Sequence, residues 1–257
     1  MADRGPTIPR EEAAVWAQDL TRTFGSFIAV DHITFAVAQG EVFGFLGANG
    51  AGKTTAIKML TGLLAPSGGT AHTAGYDVAE QPDEVKRRIG YMSQRFALYD
   101  DLTVKENVRF YGGVYGLTDR QIAERMAAML ARLGFERMAR ERVGRLPLGW
   151  KQKLDFSVAL LHEPEVVFLD EPTGGVDPVT RRQFWELIYA AAQGGTTVFV
   201  TTHYMDEAEY CDRVSIMVAG TIAALGTPAE LKAQFAAASI DEVFLRLARP
   251  VEEAASS

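Results

Sequence analysis

The feature that most constrains the fold of this chain is an eight-residue loop. Gly47, Ala48, Asn49, Gly50, Ala51, Gly52, Lys53 and Thr54 match the pattern G-x-x-x-x-G-K-[ST] without departure. An apolar segment, residues 41–46, runs into the loop and reads as a buried strand. After it, from Thr55 on, Ile57, Leu60 and Leu64 recur at helical spacing. Strand, glycine loop and helix N-terminus together make a cradle for phosphate. The glycines let backbone N–H groups close on phosphate oxygens, and the helix end adds partial positive charge. In that arrangement Lys53 reaches the β- and γ-phosphates and the Thr54 hydroxyl binds Mg²⁺. The ligand implied is a nucleoside triphosphate, and the fold implied is an α/β phosphate-loop NTPase.

Composition removes several other classes. The chain has 257 residues, with 47% hydrophobic and 23% charged, as in ordinary globular domains. No run approaches the roughly 18 apolar residues that span a bilayer, and residues 1–6 lack a signal-peptide core. These features predict a cytoplasmic protein, at a membrane only if a partner holds it there. A net charge of −7 and a pI near 5.2 argue against nucleic acid as a partner. The single Cys211 suits a reducing compartment and reads as a buried thiol in a helix.

Along the chain, residues 1–15 read as a polar, mobile end and residues 248–257 as a flexible tail. Alternating apolar residues between Val15 and Val37 predict an antiparallel ribbon, and residues 70–76 a second one. A strand over residues 89–93 ends at Gln94. Residues 96–160 turn helix-rich and predict a helical subdomain. Within it Thr118 caps a helix whose face is Ile122, Met126, Met129, Leu130 and Leu133, ended by Gly134. Residues 166–169 and 196–200 are continuous apolar runs that predict central parallel strands, and residues 214–225 a closing hairpin. The fold class is therefore α/β, a RecA-like core with an antiparallel β subdomain and a helical one.

The strand ends carry the chemistry. Asp170 closes an apolar strand, where a carboxylate holds Mg²⁺, and Glu171 beside it is placed to polarise a water. Gln94 sits after another core strand, in reach of Mg²⁺ or that water. His203 follows a third and is placed to touch the γ-phosphate.

These motifs, in this order, resemble the ATP-binding-cassette (ABC) transporter ATPases over residues from about 16 to 247. The matching positions are the phosphate loop, Gln94, a signature-like stretch over residues 146–154, residues 169–173, the loop at Asp177, and His203. The resemblance implies that Phe24 stacks on adenine and that Glu171 is the catalytic base. It also implies that Pro147, Leu148 and Gly149 cap nucleotide held by an opposite cassette, with Asp177 in the loop beside it. The opening residues 20–25 and closing residues 240–245 look like the subgroup serving ABC-2-type exporters, drug efflux among them. It follows from the resemblance that ATP and Mg²⁺ are the cofactors. The partners implied are ABC-2-type membrane-spanning permease subunits and a second cassette, on the inner face of the cell membrane. The apolar residues 96–99 are where a cytoplasmic helix of the permease is expected to dock.

One departure stands out. The family signature reads Leu-Ser-Gly-Gly-Gln, whereas this chain has Pro147 at the serine and Leu148 at the first glycine. Proline offers neither hydroxyl nor N–H, and leucine adds bulk where backbone approaches phosphate. The variant resembles the second cassette of tandem exporter ATPases, which implies pairing with an unlike cassette. Two other readings stay open: a soluble family member acting on ribosomes or DNA repair, and a regulatory nucleotide-binding module with little turnover.

Overall fold

The computed structural model describes residues 8–94 and 96–255, and residues 1–7, 95, 256 and 257, which include parts of both expected mobile ends, lie outside them. The chain opens with a hairpin, β1 (Ala13–Phe24) and β2 (Phe27–Ala38), followed by β3 (Val42–Leu46) and helix α1 (Lys53–Leu60). Next come β4 (Gly68–Thr73), the short β5 (Tyr76–Asp77), α2 (Pro82–Arg88) and β6 (Ile89–Met92). Helices α3 (Val104–Val114), α4 (Asp119–Leu133) and α5 (Leu148–Ala159) form the helical subdomain. The chain then alternates β7 (Val166–Asp170), α6 (Pro178–Gln193) and β8 (Thr197–Thr202). It ends with the hairpin β9 (Arg213–Val218) and β10 (Thr221–Gly226), then α7 (Pro228–Gln234) and α8 (Ile240–Ala255).

Two sheets result. One is antiparallel, ordered β2-β1-β4-β5; the other has six strands ordered β10-β9-β3-β8-β7-β6. In the second sheet β9, β3, β8, β7 and β6 pair in parallel, and β10 closes it antiparallel to β9. The expected second ribbon is not separate. Its strand β4 pairs with β1, so a single sheet forms.

The strands β3, β7 and β8 are buried along their whole length. Alternate residues face opposite ways. Phe43, Phe45, Phe168 and Phe199 pack with Phe35 of β2 and Ile57 and Leu60 of α1. Val42, Leu46, Val167, Leu169, Val198 and Val200 face the other layer, against Phe156 of α5 and Phe184, Trp185 and Ile188 of α6. The third core lies in the helical subdomain. There α4 has the expected face, with a capping box at Thr118 and a left-handed Gly134 at its end. Cys211 is buried, as expected, but just after a 3₁₀ turn, Met205–Tyr210, rather than in an α-helix.

Regular structure extends beyond residues 16 and 247 at both ends. Ala13 already pairs with Ala38, and α8 continues to Ala255 after burying Ile240 and Val243 in the core. For function, the register matters most. Parallel pairing sets Leu46 against Thr202, Asp170 against Thr201 and Met92 against Leu169. The residues that follow β3, β6, β7 and β8 therefore emerge at one edge of the sheet, where open α/β sheets bind ligands.

Candidate active site

The loop after β3 turns on glycines with positive φ. Gly52 caps α1 with φ +105°, and a Cβ there would sit 2.4 Å from the Ala29 carbonyl oxygen. Gly50, at φ +80°, faces open space. Lys53 is the first residue of α1 and is 5% exposed. Its Nζ donates to the carbonyls of Gly47 (2.8 Å) and Ala48 (3.1 Å) and stands 3.6 Å from Glu171 Oε1. Burial pushes the Lys53 pKa below its ordinary value, while the Glu171 and Asp170 carboxylates pull it back. A buried ammonium resting on carbonyls keeps donor capacity for anionic oxygens. Asn49 is exposed beside it, and Thr55 is half-buried in the first turn of α1.

Thr54 and Asp170 meet across the loop, with the hydroxyl donating to Asp170 Oδ2 at 3.1 Å. The other carboxylate oxygen accepts from Thr201 Oγ1 at 2.7 Å. Among the described residues no group of three or more His, Cys, Asp or Glu side chains is able to hold a metal. One hydroxyl and one carboxylate are the oxygen donors suited to Mg²⁺, which keeps waters and takes substrate phosphates as its remaining ligands. The residues present thus fit Mg²⁺ arriving with a nucleotide.

Glu171 is the centre of the cluster. Its backbone is left-handed, at φ +53°, and its N–H donates to Thr201 Oγ1 at 3.1 Å. A non-glycine residue held there is strained, and surrounding structure must enforce it. Its Oε2 accepts from Gln94 Nε2 at 3.1 Å and lies 3.1 Å from His203 Nδ1. Three strand ends therefore converge on one carboxylate. Thr201, which holds both acidic residues, was not foreseen. Its only sequence signal is a threonine at the end of an apolar strand. Gln152 of α5 is a second such residue, buried and donating to the Gly174 carbonyl at 3.1 Å beside Glu171.

The remaining candidates lie apart from this cluster. Asp177 is committed locally: its carboxylate caps α6, accepting from the N–H groups of Val179 and Thr180 and from the Thr180 hydroxyl. Pro147 occupies the N-cap of α5 without a side-chain bond, and Leu148 is largely exposed. Gly149 packs inward, since a Cβ would come 2.4 Å from Thr180 Cγ2. It serves the approach of α5 to α6. Phe24 ends β1 with an open ring, one face of which lies 4.6 Å from the Arg22 guanidinium. Within the phosphate loop, Ala51 is buried.

Known proteins share this organisation. Residues 30–174 match the family model described as ABC transporter. The chain is 50% identical over 225 residues to the "Probable multidrug ABC transporter ATP-binding protein YbhF" of Escherichia coli (strain K12), covering 88% of this chain and 39% of that protein. The chain thus spans well under half the length of that relative. It is 36% identical over 238 residues to the "Linearmycin resistance ATP-binding protein LnrL" of Bacillus subtilis (strain 168), covering 89% of this chain and 76% of that protein. A solved structure of an "ATP binding subunit of ABC transporter" superposes with a TM-score of 0.82 at 31% identity, covering 91% of this chain and 99% of that one. On sequence, fold and the grouping of motif residues, the chain belongs to the ABC transporter family, as an ATP-binding cassette.

Proposed function

We propose that this cassette binds ATP with Mg²⁺ and hydrolyses it to drive export of a small molecule through separate ABC-2-type permease subunits, working as a pair with a second cassette at the cytoplasmic face of the membrane. The convergence of Gln94, His203 and Lys53 on Glu171 carries this reading. Similarity to proteins named for multidrug transport and linearmycin resistance supports an exported, drug-like cargo. No described helix is long and apolar enough to cross a membrane.

In this reading Lys53 and the loop N–H groups bind the β- and γ-phosphates, releasing Lys53 from Gly47 and Ala48. Phe24 supplies the adenine platform on the ring face away from Arg22. Thr54, Asp170 and Gln94 hold Mg²⁺, which when bound offsets charge on the phosphate oxygens. Glu171 accepts the proton of the attacking water, and Gln94 and His203 orient that water through the contacts they already make. Pro147, Leu148 and Gly149 face nucleotide held by the second cassette, with Asp177 in the adjoining loop.

Glu171→Gln tests the assignment because it keeps the shape and removes the base. The expected result is an ATP dissociation constant within about twofold of the parent and a turnover lower by at least about 10²-fold, the low end for a general base. Parental turnover in that variant would move the base elsewhere.

A further inference from the structure

Behind His203 lies a set of contacts that the phosphate chemistry does not use. The Tyr204 ring sits 4.1 Å from the His203 ring, centre to centre. The guanidinium carbon of Arg181 stands 4.3 Å from the centre of the Tyr204 ring. Arg181 belongs to α6, and its N–H donates to the carbonyl of the helix cap Asp177 at 2.9 Å. Its side chain is fixed on two further sides. Nη1 donates to Asp206 Oδ2 at 3.3 Å, and Nε lies 3.5 Å from Glu207 Oε1.

Glu207 has no exposed surface, and its Oε1 also accepts from the Thr173 hydroxyl at 2.6 Å. Thr173 follows Glu171 by two residues and is itself fully buried. A buried carboxylate is stable only with such partners. One acidic side chain thus joins three segments: the turn after Glu171, the first turns of α6, and the turn after His203. The planar guanidinium is the group suited to both tasks, pairing in its plane and stacking on its face.

We propose that Arg181 is a positioning residue for ATP hydrolysis, holding the His203 imidazole against Glu171 through the Tyr204 ring and tying that geometry to the position of α6. The inference rests on the reading of Glu171 and His203 as the hydrolytic pair. Its consequence is directional. Movement of the α6 N-terminus, where Asp177 sits, reaches the His203 ring through this cation–ring contact. Lysine at position 181 retains charge for Glu207 but lacks the flat face. Tyr204→Leu does the reverse, leaving the Arg181 ion pairs and removing the ring.

The test measures single-turnover hydrolysis and ATP affinity for the purified full chain, in the parent and in a His203→Ala background. Arg181→Lys and Tyr204→Leu should each lower the hydrolysis rate about tenfold, the size of a desolvated cation–ring contact, with ATP affinity within about twofold of the parent. Neither should lower it further once His203 is gone, because residues that act through one another are not additive. Imidazole NMR signals of His203, identified by their loss in His203→Ala, provide a readout that needs no turnover, and both substitutions should shift them. Unshifted His203 signals, or rate losses that persist undiminished in the His203→Ala background, would overturn the inference while leaving the site reading intact. Parental hydrolysis by His203→Ala itself would remove both.

Discussion

Asp155, on α5, is a carboxylate almost without water. It is 3% exposed, and its Oδ2 has no hydrogen-bond partner. Burial pushes its pKa from 3.8 up to about 7, opposed only by a hydrogen bond from the Ala97 N–H. Ala97 is held from its other side as well, because the Tyr111 hydroxyl donates to its carbonyl. Asn107, fully buried, accepts from the Tyr99 N–H and donates to the Tyr99 and Thr103 carbonyls. The loop after Gln94 therefore takes its shape from side chains of α3 and α5. The stability consequence follows from the raised value. The protonated carboxyl is favoured by the fold, so its contribution is complete below about pH 4 and is lost as pH rises through about 7. At pH 8 the difference amounts to at most about 4 kcal/mol. Asp155→Asn removes the titration. Thermal melts between pH 5 and 8 should show a steeper alkaline loss in the parent, with the variant the more stable at pH 8. A parent–variant difference that stays constant with pH rejects this account.

At the level of the element, α5 starts without a side-chain cap, and its first turn presents Pro147 and Leu148 to the surface. Replacing Pro147 by Ser adds a cap worth about 0.5–2 kcal/mol, while Leu148→Gly costs up to about 1 kcal/mol of helix propensity. Stability of the double variant should therefore stay close to the parent. What should change is association. In a Glu171→Gln background the pair of substitutions is expected to strengthen ATP-dependent dimer formation in sedimentation, because it returns a hydroxyl and a close backbone approach. Dimerisation equal to that of Glu171→Gln alone would mean that backbone amides from Gly149 onward do the capping. Gly149→Ala behaves differently. Its Cβ would sit 2.4 Å from Thr180 Cγ2, so the α5–α6 contact must open, at about 1–3 kcal/mol. Thermal unfolding measures that loss, and a parental melting temperature contradicts it.

At the scale of the whole molecule, an exposed apolar surface lies on the helical subdomain near its junction with the core. Phe96, Tyr99, Phe110 and Val114 are exposed there, with the Tyr99 and Phe110 rings edge to face at 5.1 Å. Leu98, by contrast, is buried in the subdomain core, so residues 96–99 divide between packing and surface. If the cassette works with a permease as proposed above, the exposed part is the expected docking surface. Tyr99→Glu with Phe110→Glu should leave the fold and ATP affinity of the isolated chain unchanged and abolish export by the assembled transporter in a cargo-efflux assay. Full export by a folded double variant would place the docking surface elsewhere.

The order and chemistry of the motifs were legible in the sequence because each is local. A glycine loop between strand and helix, or a polar residue closing an apolar run, needs only its neighbours to be recognised. Parallel pairing then follows from the alternation of strands and helices, and it gathers Lys53, Gln94, Asp170, Glu171 and His203 at one sheet edge. The same local signals located the α4 helix with its cap at Thr118 and its end at Gly134. Other features waited on tertiary structure because they arise between segments distant along the chain. The Thr201 hydroxyl holds Asp170 only through register across β7 and β8. Gly149 is required by the approach of Thr180, and Glu207 Oε1 meets Thr173 and Arg181 together. Spacing along a chain encodes which residues share a strand end or a helix face. Which hydroxyl, ring or guanidinium comes to rest against them is decided by how the layers pack.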